Sequence, residues 1–214
     1  MKREEALSFL PFLFLPIMKN ILEKYISKNA LEYCISISNN YEFKLDLSFD
    51  RKSKFGHYKY WPETNSHIIS INRGLSPSLF LITFIHELAH LEVMLAYGRK
   101  VMPHGKEWKG TFRKLMAPLL SHSIFETNLL SALAIHLKNP KASLFADPRL
   151  WAILFPSNDE HAIYVNDIED GKEFIFKQRM FKKVKSRRTR ALCYEAKSGN
   201  NYLIPLLAQI EKID

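Results

Sequence analysis

The stretch His86-Glu87-Leu88-Ala89-His90 decides how this 214-residue chain is interpreted, because its residue types and spacing are typical of a metal site on a helix. Residues four apart lie on one face of an α-helix, so the two imidazoles can bind one metal ion. In such sites the intervening glutamate is a base, and a catalytic zinc keeps three protein ligands and an open position for water. The stretch therefore predicts two zinc ligands, His86 and His90, and a general base, Glu87.

The residues around this stretch predict the helix that it requires. Ser76-Pro77 is a typical helix start, and Gly98 is available as the stop. From residue 79 to residue 96 nearly every side chain is apolar, which is typical of a helix buried in a core. Unpaired imidazole and carboxyl groups would be costly there. A metal site is therefore favoured over the alternative in which both histidines are core residues hydrogen-bonded to the backbone.

The third ligand has to come from outside the stretch. A histidine six residues after His90 is excluded, because that position is Ala96. Glu92 and Glu107 are the nearest carboxylates, and His104 is the nearest following histidine. We favour His104, since a neutral imidazole suits zinc better than another carboxylate in a site that already has its base. The two glutamates remain alternatives.

The chain resembles the SprT-like family of zinc metalloproteases, which includes the Spartan proteases that digest DNA-crosslinked proteins. The resemblance covers roughly residues 40 to 116. It rests on the His-Glu-x-x-His pattern at 86–90 and on the His-Gly-x-x-Trp pattern that follows it, at His104, Gly105 and Trp108. It extends to two upstream segments, 54–58 and 67–72.

The resemblance implies a fold, a cofactor and an activity. The implied fold is a zincin-like core of α+β class, a small sheet packed on helices with the His-Glu-x-x-His helix at its centre. One catalytic Zn²⁺ would be held by His86, His90 and His104, with Glu87 as the general base. The implied activity is that of an endopeptidase acting on DNA-associated or DNA-crosslinked proteins.

The C-terminal part departs from the family pattern. Many SprT-like proteins end in a zinc ribbon with two Cys-x-x-Cys pairs, but this chain has only two cysteines, Cys34 and Cys193, far apart in sequence. A structural zinc is therefore not expected there. A disulfide framework is excluded too, which favours a reducing, cytoplasmic location.

Alternating and apolar segments predict the elements of both parts. Strands are expected at 41–49, 56–60 and 67–72, and helices over residues 1 to about 30, after His104 and at 125–137. Past residue 146 short strand candidates predict a compact, β-rich module. We therefore expect an α+β protease domain at 1–145 and a C-terminal module at 146–214. The apolar stretch Leu7–Met18 is too short to span a bilayer and contains two prolines, so no membrane segment is expected.

The net charge of +9 favours an anionic partner, and the charge is concentrated in one segment. Between residues 177 and 190 there are eight basic residues and no acidic residue. The segment is either a solvated turn joining two strands or a set of phosphate contacts. The candidates for contacts with nucleic acid, DNA above all, are Lys182, Lys183, Lys185, Arg187, Arg188 and Arg190.

These observations support three functional hypotheses. The first is a zinc endopeptidase acting on a protein or peptide substrate, which the strand at 68–72 would align by edge pairing. Tyr58, Tyr60 and His57 are candidates for stabilising the oxyanion in that reaction. The second is a nucleic-acid-binding protein with a structural or vestigial zinc site. The third is zinc-dependent hydrolysis of a non-peptide substrate.

Overall fold

The computed structural model describes residues 18–47, 54–143, 146–156, 162–187 and 190–212. Within these ranges the protein is of mixed α+β class, as predicted, and divides into two compact units at 1–140 and 141–214. The predicted boundary lay at 145/146. Residues 1–17, which hold most of the apolar N-terminal stretch, and Arg188 lie outside the described residues.

In its described residues the first unit contains five α-helical segments and a three-stranded sheet. Residues 18–22 are helical, and the helices that follow are α1 (Lys28–Ser38), α2 (Pro77–Tyr97), α3 (Lys106–Met116) and α4 (Thr127–His136). The strands are β1 (Lys44–Asp46), β2 (Gly56–Trp61) and β3 (Ser66–Ile71).

Helix α2 is the core element of this unit, and its predicted start and end are confirmed. It begins at Pro77 after the N-cap residue Ser76 and ends at Tyr97 before the C-cap residue Gly98, which has a φ of 60° that suits glycine. Among the described residues it is the one helix long and apolar enough to cross a membrane, but 67% of its most apolar window is buried inside the protein. Such burial is typical of the core helix of a folded domain.

Strand β3 lies in the middle of the sheet, which corrects the expectation that it offers a free edge to a substrate. The order is β1-β3-β2, with β1 parallel and β2 antiparallel to β3. Residues 68–70 of β3 are paired on both sides, so their backbone groups are already used. The edge strands are β1 and β2, and among the described residues each of them pairs with β3 alone.

The helix that was expected to run to about residue 30 is interrupted: residues 18–22 are helical, residues 23–27 are not, and α1 is a separate helix that begins at Lys28 and continues to Ser38. Its residues at 35 and 37 are β-branched, and its serine and cysteine residues have low helix propensity. Burial compensates, because Ala30, Cys34, Ile37 and Ser38 form one buried face at helical spacing. Tertiary packing therefore decides this helix rather than local propensity.

The second unit is built on a six-stranded antiparallel sheet in the order β4-β9-β5-β6-β7-β8. The short helix α5 (Pro148–Leu154) precedes it. The strands are β4 (Ile163–Tyr164), β5 (Glu173–Phe176), β6 (Arg179–Ser186), β7 (Arg190–Glu195), β8 (Asn200–Pro205) and β9 (Gln209–Lys212). One face of the sheet is a hydrophobic core that includes Phe174, Phe181, Cys193 and Ile204.

Residues 179–186 of the basic segment form the strand β6 rather than a solvated turn. Only Lys177 and Gln178 form the turn between β5 and β6, and both have the positive φ that a two-residue hairpin turn requires. A β-bulge lies between Lys183 and Lys185 on β6. Because of the alternation of the strand, the basic side chains do not all point the same way.

Candidate metal centre

The structure brings His86, His90 and His104 together into one cluster. The Nε2 atom of His104 lies 2.9 Å from that of His90 and 3.2 Å from that of His86. The nitrogens of a tetrahedral site with Zn–N bonds of about 2.0–2.1 Å lie roughly 3.3 Å apart. The three imidazoles therefore have a spacing close to that of ligands around one metal ion, and they could hold one.

Different elements supply the three histidines. His86 and His90 lie one turn apart on α2, which aligns them on one face of the helix. His104 lies in the loop before α3, where its φ of 58° is unusual for a residue with a side chain. Such a conformation persists only where the surrounding structure holds it, and it is common at functional sites.

Gly105 explains why the loop can turn at this point. A Cβ atom at Gly105 would lie 2.9 Å from the carbonyl oxygen of Met102, closer than real Cβ atoms come to backbone. The Gly105 amide donates a hydrogen bond of 2.9 Å to that same carbonyl. The glycine therefore allows the tight turn that presents His104 to the helix.

Trp108 packs against all three histidines. Its ring lies 4.6 Å from the ring of His86, 5.4 Å from that of His90 and 4.7 Å from that of His104, measured between centroids. It is fully buried and is backed by Phe112, which stacks on it at 5.0 Å. In the sequence Trp108 was only part of a pattern, whereas in the structure its ring forms one side of the cluster.

Burial keeps the imidazoles neutral. It lowers the pKa of His86 well below the usual value, and the neighbouring imidazoles lower it further. Burial, together with His104 and His57, lowers the pKa of His90 to about 3, and burial also lowers the pKa of His104. Neutral imidazole is the form that binds metal ions.

Glu87 is buried on the side of α2 that faces the start of β2. A Cβ at Gly56 would lie 2.8 Å from Glu87 Oε1, so the carboxylate packs directly against the backbone of this glycine. The role of Gly56 was missed in the sequence. A glycine inside a strand often marks such a close approach and could have indicated it.

Tyr58 connects β2 to the cluster. Its ring is nearly parallel to that of His90 at 6.4 Å between centroids, and its hydroxyl shares a hydrogen bond of 2.7 Å with His67 Nδ1. The ring of Tyr60 also stacks on that of His67, at 4.8 Å between centroids. Burial raises the pKa of Tyr58 and lowers that of His67, so both are neutral near pH 7.

The two alternative carboxylates are used elsewhere. Glu92 accepts a hydrogen bond of 2.7 Å from Tyr41 and lies 3.4 Å from the Lys114 ammonium group. Glu107 lies 3.9 Å from the ammonium group of Lys106. Neither belongs to the metal-ligand cluster found among the described residues.

The predicted nucleic-acid contacts divide into exposed and buried side chains. Lys182, Lys185, Arg187 and Arg190 are exposed. The prediction is wrong for Lys183, which is 3% exposed. Its ammonium group donates hydrogen bonds to the carbonyl oxygens of Val165 and Ile168. It points into the protein because the strand alternates, so it is not available to a phosphate.

Comparison with known proteins found no match to this chain, whether among protein-family models, curated proteins or solved structures.

Proposed function

We propose that this protein is a zinc-dependent endopeptidase similar to the SprT-like proteases, with a zincin-like core formed by the first unit. The observation that carries the proposal is that the Nε2 atom of His104 lies within 3.2 Å of the Nε2 atoms of both His86 and His90. The buried Glu87 lies between these two histidines on α2. Three neutral nitrogen ligands and an adjacent base are what a hydrolytic zinc site requires.

The donor set fits zinc. His86, His90 and His104 would hold the ion through nitrogen, and nothing in the cluster favours a harder cation that prefers oxygen. When bound, zinc supplies a Lewis acid for the scissile carbonyl and lowers the pKa of water at its open position toward about 7.

The chain's own residues would do the rest of the work. Glu87 would accept the proton of the attacking water and then return it to the leaving amine. The close backbone of Gly56 limits the positions that the Glu87 carboxylate can adopt. The edge of β2 that faces away from β3 would bind an extended peptide, since the same strand contacts both Glu87, through Gly56, and His90, through Tyr58.

A nucleic-acid-binding protein with a structural or vestigial zinc site is the second candidate, and the exposed lysines and arginines of β6 and β7 favour it. Structural zinc sites are almost always closed by four protein ligands. In the part of the chain that the structure describes, the cluster has three. We therefore favour a catalytic site, and we treat nucleic-acid binding as an additional function rather than as an alternative to catalysis.

Hydrolysis of a non-peptide substrate would use the same metal chemistry.

The test is the Glu87→Gln variant, with Glu92→Gln as a matched control. Glu92 lies on the same helix and is held by Tyr41 and Lys114, away from the cluster. We expect the wild type to bind one zinc ion and cleave casein, Glu87→Gln to bind zinc without cleaving, and Glu92→Gln to do both. Casein cleavage by Glu87→Gln at the wild-type rate would contradict the proposal.

Trp108 offers a direct measure of metal binding. Because its ring packs against all three histidines, Co²⁺ added in place of zinc should quench its fluorescence. His104→Ala should lose both the quenching and the zinc. If His104→Ala retained a full zinc ion, the ligand assignment would be wrong.

The proposed substrate class, proteins associated with or crosslinked to DNA, needs a separate assay. We expect cleavage of a DNA-crosslinked protein to be faster than cleavage of the same protein free in solution. Equal rates would remove the DNA-directed part of the proposal and leave the peptidase.

A further inference from the structure

Strand β2 lies along helix α2 where the helix carries the candidate metal centre. Gly56 packs on the side chain of Glu87, and the ring of Tyr58 lies nearly parallel to that of His90. Alternate residues of a strand share a face, and two strand residues span about 6.6 Å. The step from Glu87 to His90 is about 4.5 Å along the helix axis. Consecutive residues on this face of β2 therefore meet the proposed base and a proposed zinc ligand in turn.

The hydroxyl of Tyr58 is held by an aromatic residue of the neighbouring strand. It lies 2.7 Å from Nδ1 of His67 on β3, which is only 9% exposed. Tyr58 pairs with Ile69, so His67 is the next residue along β3 on the same face. The tyrosine ring is nearly parallel to both imidazoles, at 6.0 Å from that of His67 and 6.4 Å from that of His90 between centroids. These contacts fix the Tyr58 side chain beside the metal centre.

Hydrolysis of a peptide bond needs a hydrogen-bond donor in addition to a base. The oxygen of the water bonds to the carbonyl carbon, the π pair of the C=O bond moves onto its oxygen, and Glu87 takes a proton from the water. When the C–N bond breaks, that pair re-forms the C=O bond, and the proton on Glu87 goes to the amine nitrogen. Between these events the former carbonyl oxygen carries negative charge, which a preorganised donor stabilises.

The proton of the Tyr58 hydroxyl is free for this role in one of the two tautomers of His67. A tyrosine hydroxyl keeps its proton near pH 7, and its oxygen also accepts a hydrogen bond. With the imidazole hydrogen on Nδ1, His67 donates to the Tyr58 oxygen, and the tyrosine proton can turn toward a substrate. With the hydrogen on Nε2, Tyr58 donates to His67 and its proton is already used.

We propose that Tyr58 is a catalytic residue of this peptidase, donating a hydrogen bond from its hydroxyl to the oxygen of the scissile carbonyl as charge develops there. His67 is a positioning residue that donates from Nδ1 to the Tyr58 oxygen and so orients the hydroxyl. The inference rests on the proposed function, and it adds to the site a donor that neither Glu87 nor the three histidines of the cluster provide. Tyr58 keeps its own proton throughout, so Glu87 alone transfers a proton.

Tyr60 provides a comparison within the same strand. It lies on the same face of β2 as Tyr58, and its ring also stacks on that of His67. Its hydroxyl, however, donates a hydrogen bond of 3.0 Å to Oδ1 of Asn65 in the turn before β3. The two tyrosines therefore share a strand, a face and a neighbour, and they differ in the partner of the hydroxyl. Tyr60→Phe is thus a matched control for Tyr58→Phe.

The first test measures hydrolysis of a fluorogenic peptide by the zinc-loaded full chain. Tyr58→Phe keeps the ring and removes only the hydroxyl. We expect its kcat to fall about 10²–10³-fold, the usual cost of losing one donor to an oxyanion. Its KM and its single bound zinc ion should not change, because the charge develops only in the transition state. Tyr60→Phe should keep the wild-type kcat.

The second test asks whether His67 acts through Tyr58. His67→Ala should lower kcat by as much as about 100-fold at unchanged zinc content, because the hydroxyl loses its orientation. His67→Asn, whose amide nitrogen can replace Nδ1 as a donor, should recover most of that loss. In the Tyr58→Phe background His67→Ala should cost nothing more, since the group that it positions is already absent. A merely structural role of His67 would lower activity equally in both backgrounds and would overturn its assignment.

A third measurement needs neither zinc nor turnover. Nitrogen-15 NMR of the metal-free protein, labelled at histidine, should place the ring hydrogen of His67 on Nδ1. Tyr58→Phe should shift the Nδ1 resonance because it removes the hydrogen-bond partner, and Tyr60→Phe should leave the hydrogen on Nδ1.

The outcomes separate this inference from the proposed function. A wild-type kcat in Tyr58→Phe, or a loss of its zinc together with its activity, would overturn the inference and leave the peptidase assignment intact. A ring hydrogen on Nε2 of His67 would overturn the inference as well. A wild type that binds zinc and cleaves neither the peptide nor casein would refute the proposed function, and the inference would fall with it.

Discussion

Gly56 allows the sharpest test of the proposed catalytic arrangement, because its backbone touches the side chain of the proposed base. A Cβ atom added there would lie 2.6 Å from Thr83 Cγ2, 2.8 Å from Glu87 Oε1 and 2.9 Å from Glu87 Cγ. Non-bonded carbons normally stay about 3.5–4.0 Å apart, so Gly56→Ala creates an overlap of about 1 Å. Strand β2 is paired with β3 along its whole length, so the longer side chain of Glu87 is expected to move first.

The expected effect on activity is large and the effect on metal binding is small. Overpacking of this kind costs about 1–3 kcal/mol of stability. A displacement of about 1 Å in a reacting group costs about 10²-fold in rate. We therefore expect kcat for a fluorogenic peptide to fall about 100-fold in Gly56→Ala while one zinc ion stays bound, since Gly56 is packed on the base and not on the cluster.

Gly110→Ala is the matched control. Gly110 lies inside α3, and a Cβ there would meet no atom within 4 Å. The variant should be more stable by about 0.5–1 kcal/mol in urea unfolding and should cleave the peptide at the wild-type rate. The reasoning would be refuted if Gly56→Ala folded, bound zinc and cleaved as fast as Gly110→Ala.

Three further predictions concern single residues in the two units. Gly105→Ala should weaken zinc binding about 10–100-fold in a competition titration, because its Cβ would displace the Met102 carbonyl in the turn that presents a ligand; wild-type zinc affinity would contradict this. Lys183→Met should lower the free energy of unfolding in urea by about 1–3 kcal/mol by removing the donor to two buried carbonyls, and a loss of nucleic-acid affinity without that destabilisation would show that the side chain reaches the surface. The hydrogen bond from Arg179, followed by that from Ser198, lowers the pKa of Glu195 to about 2, so its contribution to stability is present above about pH 4.3 and is lost as the pH falls toward 2. Glu195→Gln should remove that part of the pH dependence of the urea midpoint, and curves that differ equally at every pH would exclude it.

The sequence predicted the elements whose geometry is local. The spacing of His86 and His90 and the long apolar segment around them require one helical face and a buried helix, and α2 has both. His104 was favoured on ligand chemistry, and the loop brings it to the other two histidines. These predictions were possible because helical periodicity and a turn at glycine depend only on residues that are close in sequence.

Features that depend on pairing between distant segments could not be predicted in the same way. The position of β3 at the centre of the sheet depends on β1 and β2, and no residue of β3 indicates how many neighbours it has. The burial of Lys183 depends on which side of β6 faces the core. The contact between Gly56 and Glu87 depends on the packing of β2 against α2, which the sequence does not indicate.

The bulge on β6 has a consequence for how this strand can vary. If the strand alternated regularly through Val184, with no bulge, positions 183 and 185 would share a side, and Lys185 would follow Lys183 into the core. Lys183 lies inside and Lys185 outside because the bulge accommodates Val184, the one residue between them. Deletion of Val184 would therefore remove the bulge and leave Lys185 and Ser186 on their present sides, whereas loss of the bulge with Val184 retained would exchange the inner and outer side chains of everything that follows it on the strand.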